Sequence, residues 1–517
     1  MTALDAAKEA ARQVILKPNL SLDSLKKELS KKYKIPALRN SDILREIPKK
    51  RRTHEILALL KLRPVRTVSG IASIAVMSKP LPCPGKCIYC PGGIDSPKSY
   101  TGDEPAAMRG KQNAFDPKRQ VSSRIKQLSE IGHTVDKCEL IVMGGTFNAQ
   151  SWKYQRSFVK GCLDSMNKRD SRNLEHAKKL NETSKVRAVG ITFETRPDYA
   201  KKRQIDKMLT LGATRIELGV QTLSDEVYEI VNRGHKVEDV VLATKFCKDS
   251  ALKVCYHMMP GLFSTPKKDV AMFKKLFSDS RFRPDMLKIY PCMVVAGTKL
   301  YDMWKRGEYE PYETETAAEV LAKATKFIPP YVRIMRVQRD IPLPRIVAGV
   351  KNSNLRQIVE KKLAERGERC ACIRCRESAL RELKTGKGQN SLEAKLCRLD
   401  YGASGGKEIF LSYESESGLF GFLRLRKPNE PFRKEINITT SLVRELHVYG
   451  SALGIGKEPG SELQHRGFGK ALLLEAERIA TEEHDSEKLV VISGVGAREY
   501  YYKLGYKKDG VYVSKKL

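Results

Sequence analysis

Cys83-Pro84-Gly85-Lys86-Cys87-Ile88-Tyr89-Cys90 is the stretch from which the rest of this 517-residue chain is read. The spacing C-x3-C-x2-C offers three thiolates, one fewer than a closed iron–sulfur or zinc site takes. A 4Fe-4S cube held by three cysteines keeps one iron open. An open iron is what a radical enzyme needs to bind S-adenosylmethionine through its amino and carboxylate groups and cleave it reductively. Pro82, Pro84 and Gly85 bend the loop around a bulky inorganic core, and Pro91-Gly92-Gly93 turns the chain out. The alternatives are a zinc knuckle or three unrelated thiols, and spacing this short in a Gly/Pro loop favours the cluster.

Composition bounds the remaining choices. The length exceeds what one hydrophobic core organises, so two to four domains are expected. No apolar run reaches the ~20 residues that span a bilayer, and Met1 to Lys17 carries Asp5, Lys8, Glu9 and Arg12 among its alanines, unlike a signal peptide. A cytoplasmic protein without a membrane partner is expected. The chain has 12 cysteines grouped at ligand spacing, which fits metal and cluster sites in a reducing compartment better than disulfides. With 95 Lys and Arg against 61 Asp and Glu, the net charge of +34 calls for a polyanionic partner, and nucleic acid is favoured over a membrane surface. The surplus is dense at the start: residues 1–70 hold 17 basic and 7 acidic side chains. Lys31, Lys32 and Lys34, then Lys49, Lys50, Arg51 and Arg52, form two runs that read as a phosphate-tracking surface rather than one solvated helix face.

The element pattern divides the chain. Residues 1–70 read as short helices (Leu25–Tyr33, Ser41–Arg45, Thr53–Leu62) punctuated by Pro18, Pro36, Pro48 and Pro64. From 71 to 331, β-branched runs alternate with amphipathic segments. The candidate strands are Ile71–Met77, Glu139–Met143, Ala188–Phe193, Arg215–Val220, Lys253–Met258 and Met286–Tyr290. Such alternation predicts an α/β fold with a partial parallel (β/α)6 barrel whose ligands sit at the C-terminal strand ends. Residues 332–400 read as a charged connecting region containing Cys370, Cys372 and Cys375; zinc and a metal-free thiol loop both fit, and no fourth ligand is evident. Residues 401–517 read as a compact α+β domain.

Several strand ends of the barrel carry groups suited to S-adenosylmethionine: Gly144 and Gly145, Glu194, and Glu217 with Gln221. The glycines let backbone approach a ligand, and the carboxylates and amide suit ribose hydroxyls and a sulfonium. His257 fits a ligand or a satisfied polar plug, and the plug is favoured. In the last domain, Gln464-His465-Arg466-Gly467-Phe468-Gly469-Lys470 opens a helix after a loop, a Q-x-x-G-x-G form that presents backbone N–H groups to a coenzyme A pyrophosphate. Tyr500 and Tyr501 follow at the place where a thioester would lie, and a tyrosine hydroxyl can protonate a departing thiolate. Together these predict an acetyl-CoA-binding fold.

The combination resembles the catalytic-subunit family of the Elongator complex in its stand-alone archaeal form. The resemblance covers almost the whole chain and rests on Cys83/Cys87/Cys90, Ser99 to Gly102, Val142 to Phe147, Glu194 to Tyr199, Asn232 to His235, Val337 to Pro342 and Arg444 to Gly450. It implies a radical S-adenosylmethionine barrel joined to a GNAT acetyltransferase domain, acting at C5 of the wobble uridine of tRNA. Acetyl-CoA would be the donor, a 5′-deoxyadenosyl radical would activate its methyl carbon, and carboxymethyl-type modification would follow. By motif match the family's acetyl-CoA contacts fall on Lys137, on Glu445, Leu446, His447 and Val448, on Phe468, Gly469 and Lys470, and on Tyr501. The expected partners are the tRNA anticodon loop and either Elongator-like subunits or a second copy. Some eukaryotic relatives space the first two cluster cysteines more widely; the Cys370/Cys372/Cys375 triplet is not general to the family, so zinc is not implied by the resemblance. The competing expectations are a protein lysine acetyltransferase with a structural iron–sulfur cluster and an RNA-dependent scaffold.

Overall fold

The computed structural model describes all residues except 1, 18–19, 61–64, 66, 93–94, 387–390 and 450–466. Gln464, His465 and Arg466 of the expected pyrophosphate loop, and the side chain of Lys49 in the second basic run, lie outside what is described.

Four helices, Ala3–Leu16, Leu22–Tyr33, Asn40–Glu46 and His54–Leu60, open the chain around an apolar core of their own that includes Ala6, Ala10, Val14, Leu29, Ile43 and Ile56. The first of them is not among the helices expected from sequence. Its start is fixed locally, because the Thr2 side chain accepts from the Asp5 N–H while the Asp5 carboxylate accepts from the Thr2 N–H.

The barrel expectation is met. Strands β1 (Ala72–Met77), β2 (Lys137–Met143), β3 (Arg187–Thr195), β4 (Arg215–Gln221), β5 (Lys253–Met258) and β6 (Met286–Ile289) lie side by side in chain order, all parallel. Helices cover the outside. Trp152–Asn167 begins where Ser151 accepts from the Tyr154 N–H, and Pro266–Ser278 begins with Thr265 as cap and proline in its first turn. After the two-residue β7 (Val294–Val295), a further parallel strand, β8 (Arg333–Arg336), pairs with β6 and extends the sheet to seven strands. It lies inside the stretch read from sequence as a connecting region; four residues with charge at both ends carry too little β pattern to be recognised. Strand β9 (Ile346–Ala348) pairs antiparallel with β7.

The C-terminal sheet runs β10 (Lys395–Ala403), β11 (Gly406–Ser415), β12 (Gly418–Lys427), β13 (Thr440–Val448), β14 (Lys488–Val491), β16 (Tyr512–Lys516), β15 (Lys507–Asp509) in space. Helix Phe468–Glu482 buries Leu472, Leu473, Ala476 and Ile479 against it, as the sequence pattern requires. The sheet is antiparallel except where β13 and β14 pair in parallel, and that pairing spans only Thr440–Val443. Beyond it β13 continues alongside β12 alone, so Arg444–Val448 borders an open edge on its other side.

The two sheets are welded by buried charge. Asp285, Glu408, Lys248, Arg444, Arg426 and Asp249 have side chains with no solvent exposure. Arg444 donates to Asp285 at 2.5 and 2.9 Å and to Glu408 at 3.0 and 3.1 Å. Arg426 reaches Asp249 and Glu408 at 2.5 and 2.9 Å. A side chain at Gly494 would stand 2.1 Å from the Val189 carbonyl oxygen on β3, so the C-terminal domain touches the barrel backbone directly at that point.

Candidate active site at the two mouths of the barrel

The loop after β1 carries Cys83, Cys87 and Cys90, all half-buried. Neighbouring strand ends close around it. The Cys83 sulfur is 3.5 Å from the Thr146 hydroxyl, just past the Gly144-Gly145 turn, whose residues have φ of 118° and 57°. A Cβ on Gly144 would collide with the Ser78 side chain at 2.3 Å, so neither space nor backbone conformation admits another residue there. Arg233 donates from Nη1 to the Cys87 sulfur at 3.3 Å and from Nε to His235 Nε2 at 3.1 Å. Burial, with Arg233 adding to it, pushes His235 down to about 3, so its ring is a neutral acceptor. Arg196 presses on the loop from the end of β3: a Cβ on Gly85 would meet its Nη1 at 2.4 Å, and that nitrogen is buried with no hydrogen-bond partner. Cationic donors converging on thiols, one of them unsatisfied, suit a group that leaves its ligands anionic. The site therefore fits a three-cysteine cluster.

Around the same mouth, Glu194 accepts from the Tyr100 hydroxyl at 2.9 Å and lies 3.3 Å from the Lys288 ammonium. Gln221 has φ of 73°, and its side-chain oxygen is buried without a partner. Glu217 is placed differently from the other strand-end groups. It is fully buried inside the barrel, 2.8 Å from His257 Nε2, in contact with Lys288 and 3.3 Å from Arg215 Nε. Burial raises its carboxyl, but Lys288, His257 and Arg215 outweigh that and hold it well below the usual range. His257 is thus a bonded partner of a structural carboxylate.

The opposite, N-terminal mouth faces the C-terminal domain across a cavity of about 320 Å³. Its walls come from strand starts, with Glu139, Arg215, Lys253 and Arg333, and from the open edge of β13 with Glu445, Leu446, His447 and Tyr449, joined by Tyr501. His447 packs against Tyr449 at 4.4 Å, and its Nε2 is buried without a partner. Burial pushes it down to about 4, with Arg333, Lys253 and Lys137 acting in the same direction, so it is neutral near pH 7. Burial likewise holds the Tyr501 hydroxyl well above its ordinary value, so it keeps its proton. Tyr500 lies to one side, 41% exposed, with its hydroxyl against Gly469. Gly467 starts the final long helix at φ 82°, and the Phe468 ring packs on Tyr413 at 4.7 Å. The helix start lies beside the end of the β13 edge, with Gly469 against Val448 and Tyr500, while Tyr501 and the β13 edge line the floor cavity; Lys137 begins β2.

Elsewhere, Cys370, Cys372 and Cys375 bring their sulfurs within 4.8 Å of one another beside β8. The two neighbouring thiols pull Cys372 well below its usual range. In the N-terminal helices, Lys31, Lys34, Lys50 and Arg51 are exposed. Lys32, also exposed, is engaged by Glu9 at 2.8 Å, and Arg52 Nε donates to the Ile47 carbonyl at 2.9 Å. Sequence reasoning did not single out Arg215, Lys288, Arg196 or Arg233. A usable signal was there: Arg215/Glu217 and Cys255/His257 place polar groups at alternate strand positions, facing one side of a sheet otherwise made of apolar residues.

Family models match three segments of the chain between residues 4 and 365, and relatives match most of its length. The ELP3 N-terminal domain profile matches residues 4–68, the Radical SAM superfamily 82–277 and the Radical_SAM C-terminal domain 284–365. The tRNA uridine(34) acetyltransferase of Methanocaldococcus infernus is 50% identical over 510 residues, covering 96% of this chain and 95% of that one. The Elongator complex protein 3 of Homo sapiens is 43% identical over 515 residues, covering 96% and 94%. Among solved structures, the M. infernus Elp3 lacking its N-terminus superposes with a TM-score of 0.79 at 48% identity, covering 87% of this chain and all of that one.

Proposed function

The chain belongs to the family of tRNA uridine(34) acetyltransferases and Elongator complex protein 3, and from that footing we propose that it uses acetyl-CoA to modify C5 of the wobble uridine of tRNA in a carboxymethyluridine-type reaction. The observation that carries this reading is the shared cavity: the floor of a radical-type barrel and the open edge of an acetyltransferase-type sheet form one chamber. A lysine acetyltransferase would not require its donor to open onto the inside of a barrel.

Cys83, Cys87 and Cys90 would hold a 4Fe-4S cluster, with Gly144, Gly145, Glu194 and Gln221 around S-adenosylmethionine. When bound, these groups supply a carbon radical able to take a hydrogen atom from an acetyl methyl, which sidesteps the poor nucleophilicity of uracil C5 and the poor electrophilicity of a methyl group. This chain's residues position and protect. Arg233 donates to a cluster thiolate and Arg196 balances its charge. Glu445 to Val448 offer their free-edge backbone N–H and C=O groups to the pantetheine amides, as an added strand would use them. Gly467, Phe468, Gly469 and Lys470, at a helix start, receive the pyrophosphate, and Lys137 supplies a further cation to the coenzyme. Tyr501 keeps its proton, so it can donate to the thiolate released when the thioester is cleaved; Tyr500 shapes the entrance beside Gly469.

The exposed Lys31, Lys34, Lys50 and Arg51 track tRNA phosphates, and the anticodon loop presents an unpaired base. Such a substrate places the enzyme in the cytoplasm, and among the described residues no helix is long and apolar enough to cross a membrane. Cys370, Cys372 and Cys375 fit one thiophilic ion such as zinc, since tetrahedral Zn–S bonds of ~2.3 Å set sulfurs ~3.8 Å apart. Metal analysis of Cys372→Ser against wild type tests this, and equal zinc in both would refute it.

The decisive assay incubates anaerobically reconstituted protein with acetyl-CoA, S-adenosylmethionine and tRNA, followed by nucleoside mass spectrometry. Cys87→Ala should abolish the uridine product and retain acetyl-CoA binding. Persistence of the product in that variant would refute the radical route, and acetylated lysine without any modified uridine would favour the protein acetyltransferase.

A further inference from the structure

The two mouths are far apart. On β2, Glu139 faces the floor cavity and Gly144 the cysteine loop, and five residues at a rise of ~3.3 Å separate them by about 16 Å. A thioester anchored on Glu445–Val448 must therefore send its acyl end upward into the lumen. A parallel barrel is ordinarily filled by branched apolar side chains. Here the lumen holds a column of hydrogen-bonded and ion-paired groups running Glu139, Arg215, Glu217, Lys288, Glu194.

One member of the column has capacity to spare. Arg215 lines the floor cavity and is 4% exposed. Its Nη1 is engaged by Glu139 Oε1 at 2.7 Å. Its Nε stands 3.3 Å from Glu217 Oε1 without hydrogen-bond alignment, and its Nη2 has no acceptor; both nitrogens are buried. Leaving guanidinium donors buried and unmade is destabilising, unless an acceptor arrives with a ligand. Of the other cations lining the cavity, Arg374 is half-buried on the side of Arg333 and Glu377 and is not part of the lumen column, and the remaining two are paired. Arg333 donates to Glu377 at 2.7 Å and to the Tyr449 hydroxyl at 2.8 Å, and Lys253 pairs with Glu445 at 4.0 Å.

We infer that Arg215 receives the acyl carbonyl oxygen of the thioester through Nη2, fixing the acyl group at the lumen entrance. This rests on the thioester reading above and adds the residue that recognises the acyl group as distinct from coenzyme A. A fixed cationic donor suits a carbonyl whose oxygen gains electron density when its neighbouring carbon is activated, and no proton need move. Arg215 is in this sense a binding and positioning residue.

Calorimetric titration of the full-length protein with coenzyme A, acetyl-CoA and S-ethyl-coenzyme A, a thioether without the carbonyl, tests the assignment. Wild type should bind acetyl-CoA about 10- to 100-fold more tightly than the thioether, the range of one hydrogen bond to a charged group. Arg215→Gln should bind the two alike and keep the wild-type affinity for coenzyme A. Equal binding of acetyl-CoA and thioether by wild type, or a preference that survives in Arg215→Gln, overturns the inference. If Arg215→Gln does not fold, Arg215→Lys, which keeps a cation for Glu139, takes its place and should retain at most part of the preference; an undiminished preference in Arg215→Lys overturns the inference. Failure of wild type to bind coenzyme A at all would instead remove the thioester reading itself.

Discussion

Replacing Asp285 by Asn removes one charge from the junction between barrel and C-terminal sheet while keeping its shape. Asp285 accepts from Arg444 at 2.5 and 2.9 Å and from the Val254 N–H at 2.8 Å, and Lys248 lies 3.5 Å away. All of these side chains are inaccessible to water. Breaking a fully buried ion pair from one side costs about 3–5 kcal/mol, because the remaining cation is left without compensation. At about 2–4 °C per kcal/mol for a unit of this size, the apparent Tm should fall by roughly 6–20 °C. The sign with pH follows from the direction of the shift. Burial raises the Asp285 carboxyl, but Arg444, Lys248 and Arg424 outweigh it and hold it far below its ordinary value. A group depressed in the folded state stabilises above its unfolded pKa of about 3.9 and loses that contribution as pH falls towards its folded value. The wild type should therefore outlast Asp285→Asn throughout pH 8 to about pH 5, with the margin somewhat smaller at the alkaline end, where Lys248, held down to about 8 by burial, loses its proton, and it should collapse only in stronger acid. Differential scanning calorimetry over that range measures both quantities. A Tm change under about 2 °C, or a margin that shrinks between pH 8 and 6, would refute the reasoning.

Two further outcomes are expected. Changing Lys31, Lys34, Lys50 and Arg51 together to Gln should weaken tRNA binding and lower the slope of log K against log salt by about 3, since each phosphate contact contributes ~0.7–0.9; an unchanged slope removes this surface from the tRNA path. Gly144→Ala forces a residue at φ 118° with its Cβ 2.3 Å from the Ser78 hydroxyl. It should cost about 1–3 kcal/mol of local strain and lower iron incorporated per chain on reconstitution, and normal iron content would argue that the turn does not support the cysteine loop.

Much of the fold was legible because periodicity and local chemistry agree. The run Arg215–Val220, expected as a strand, is β4 (Arg215–Gln221), and the helix expected from Gly467 begins at Phe468 behind a Gly467 that adopts the left-handed conformation. Strands β8 and β10 were not legible. Arg333–Arg336 is short and flanked by charge, and Lys395–Ala403 is an exposed edge strand whose Lys395, Arg398 and Asp400 hide any alternation. The cysteine triplet could be read as a site because its ligands are contiguous. The partners of Arg215, Lys288 and Arg233 could not be read, even where alternate polar positions mark the face Arg215 lies on, because they are tens of residues away: Arg215 meets Glu139 across β3, and Arg233 meets Cys87 from a loop beyond β4. Charge alone gives no register. Only once the strands are aligned do Glu217 and His257 become one hydrogen-bonded pair instead of two strand-end candidates.

An acetyl methyl must meet an adenosyl carbon inside the barrel, and isotope transfer reads that meeting directly. Acetyl-CoA deuterated at the methyl group, incubated anaerobically with the reconstituted enzyme, S-adenosylmethionine and tRNA, should yield 5′-deoxyadenosine carrying one deuterium. 5′-Deoxyadenosine without deuterium, formed alongside modified uridine, would contradict the account.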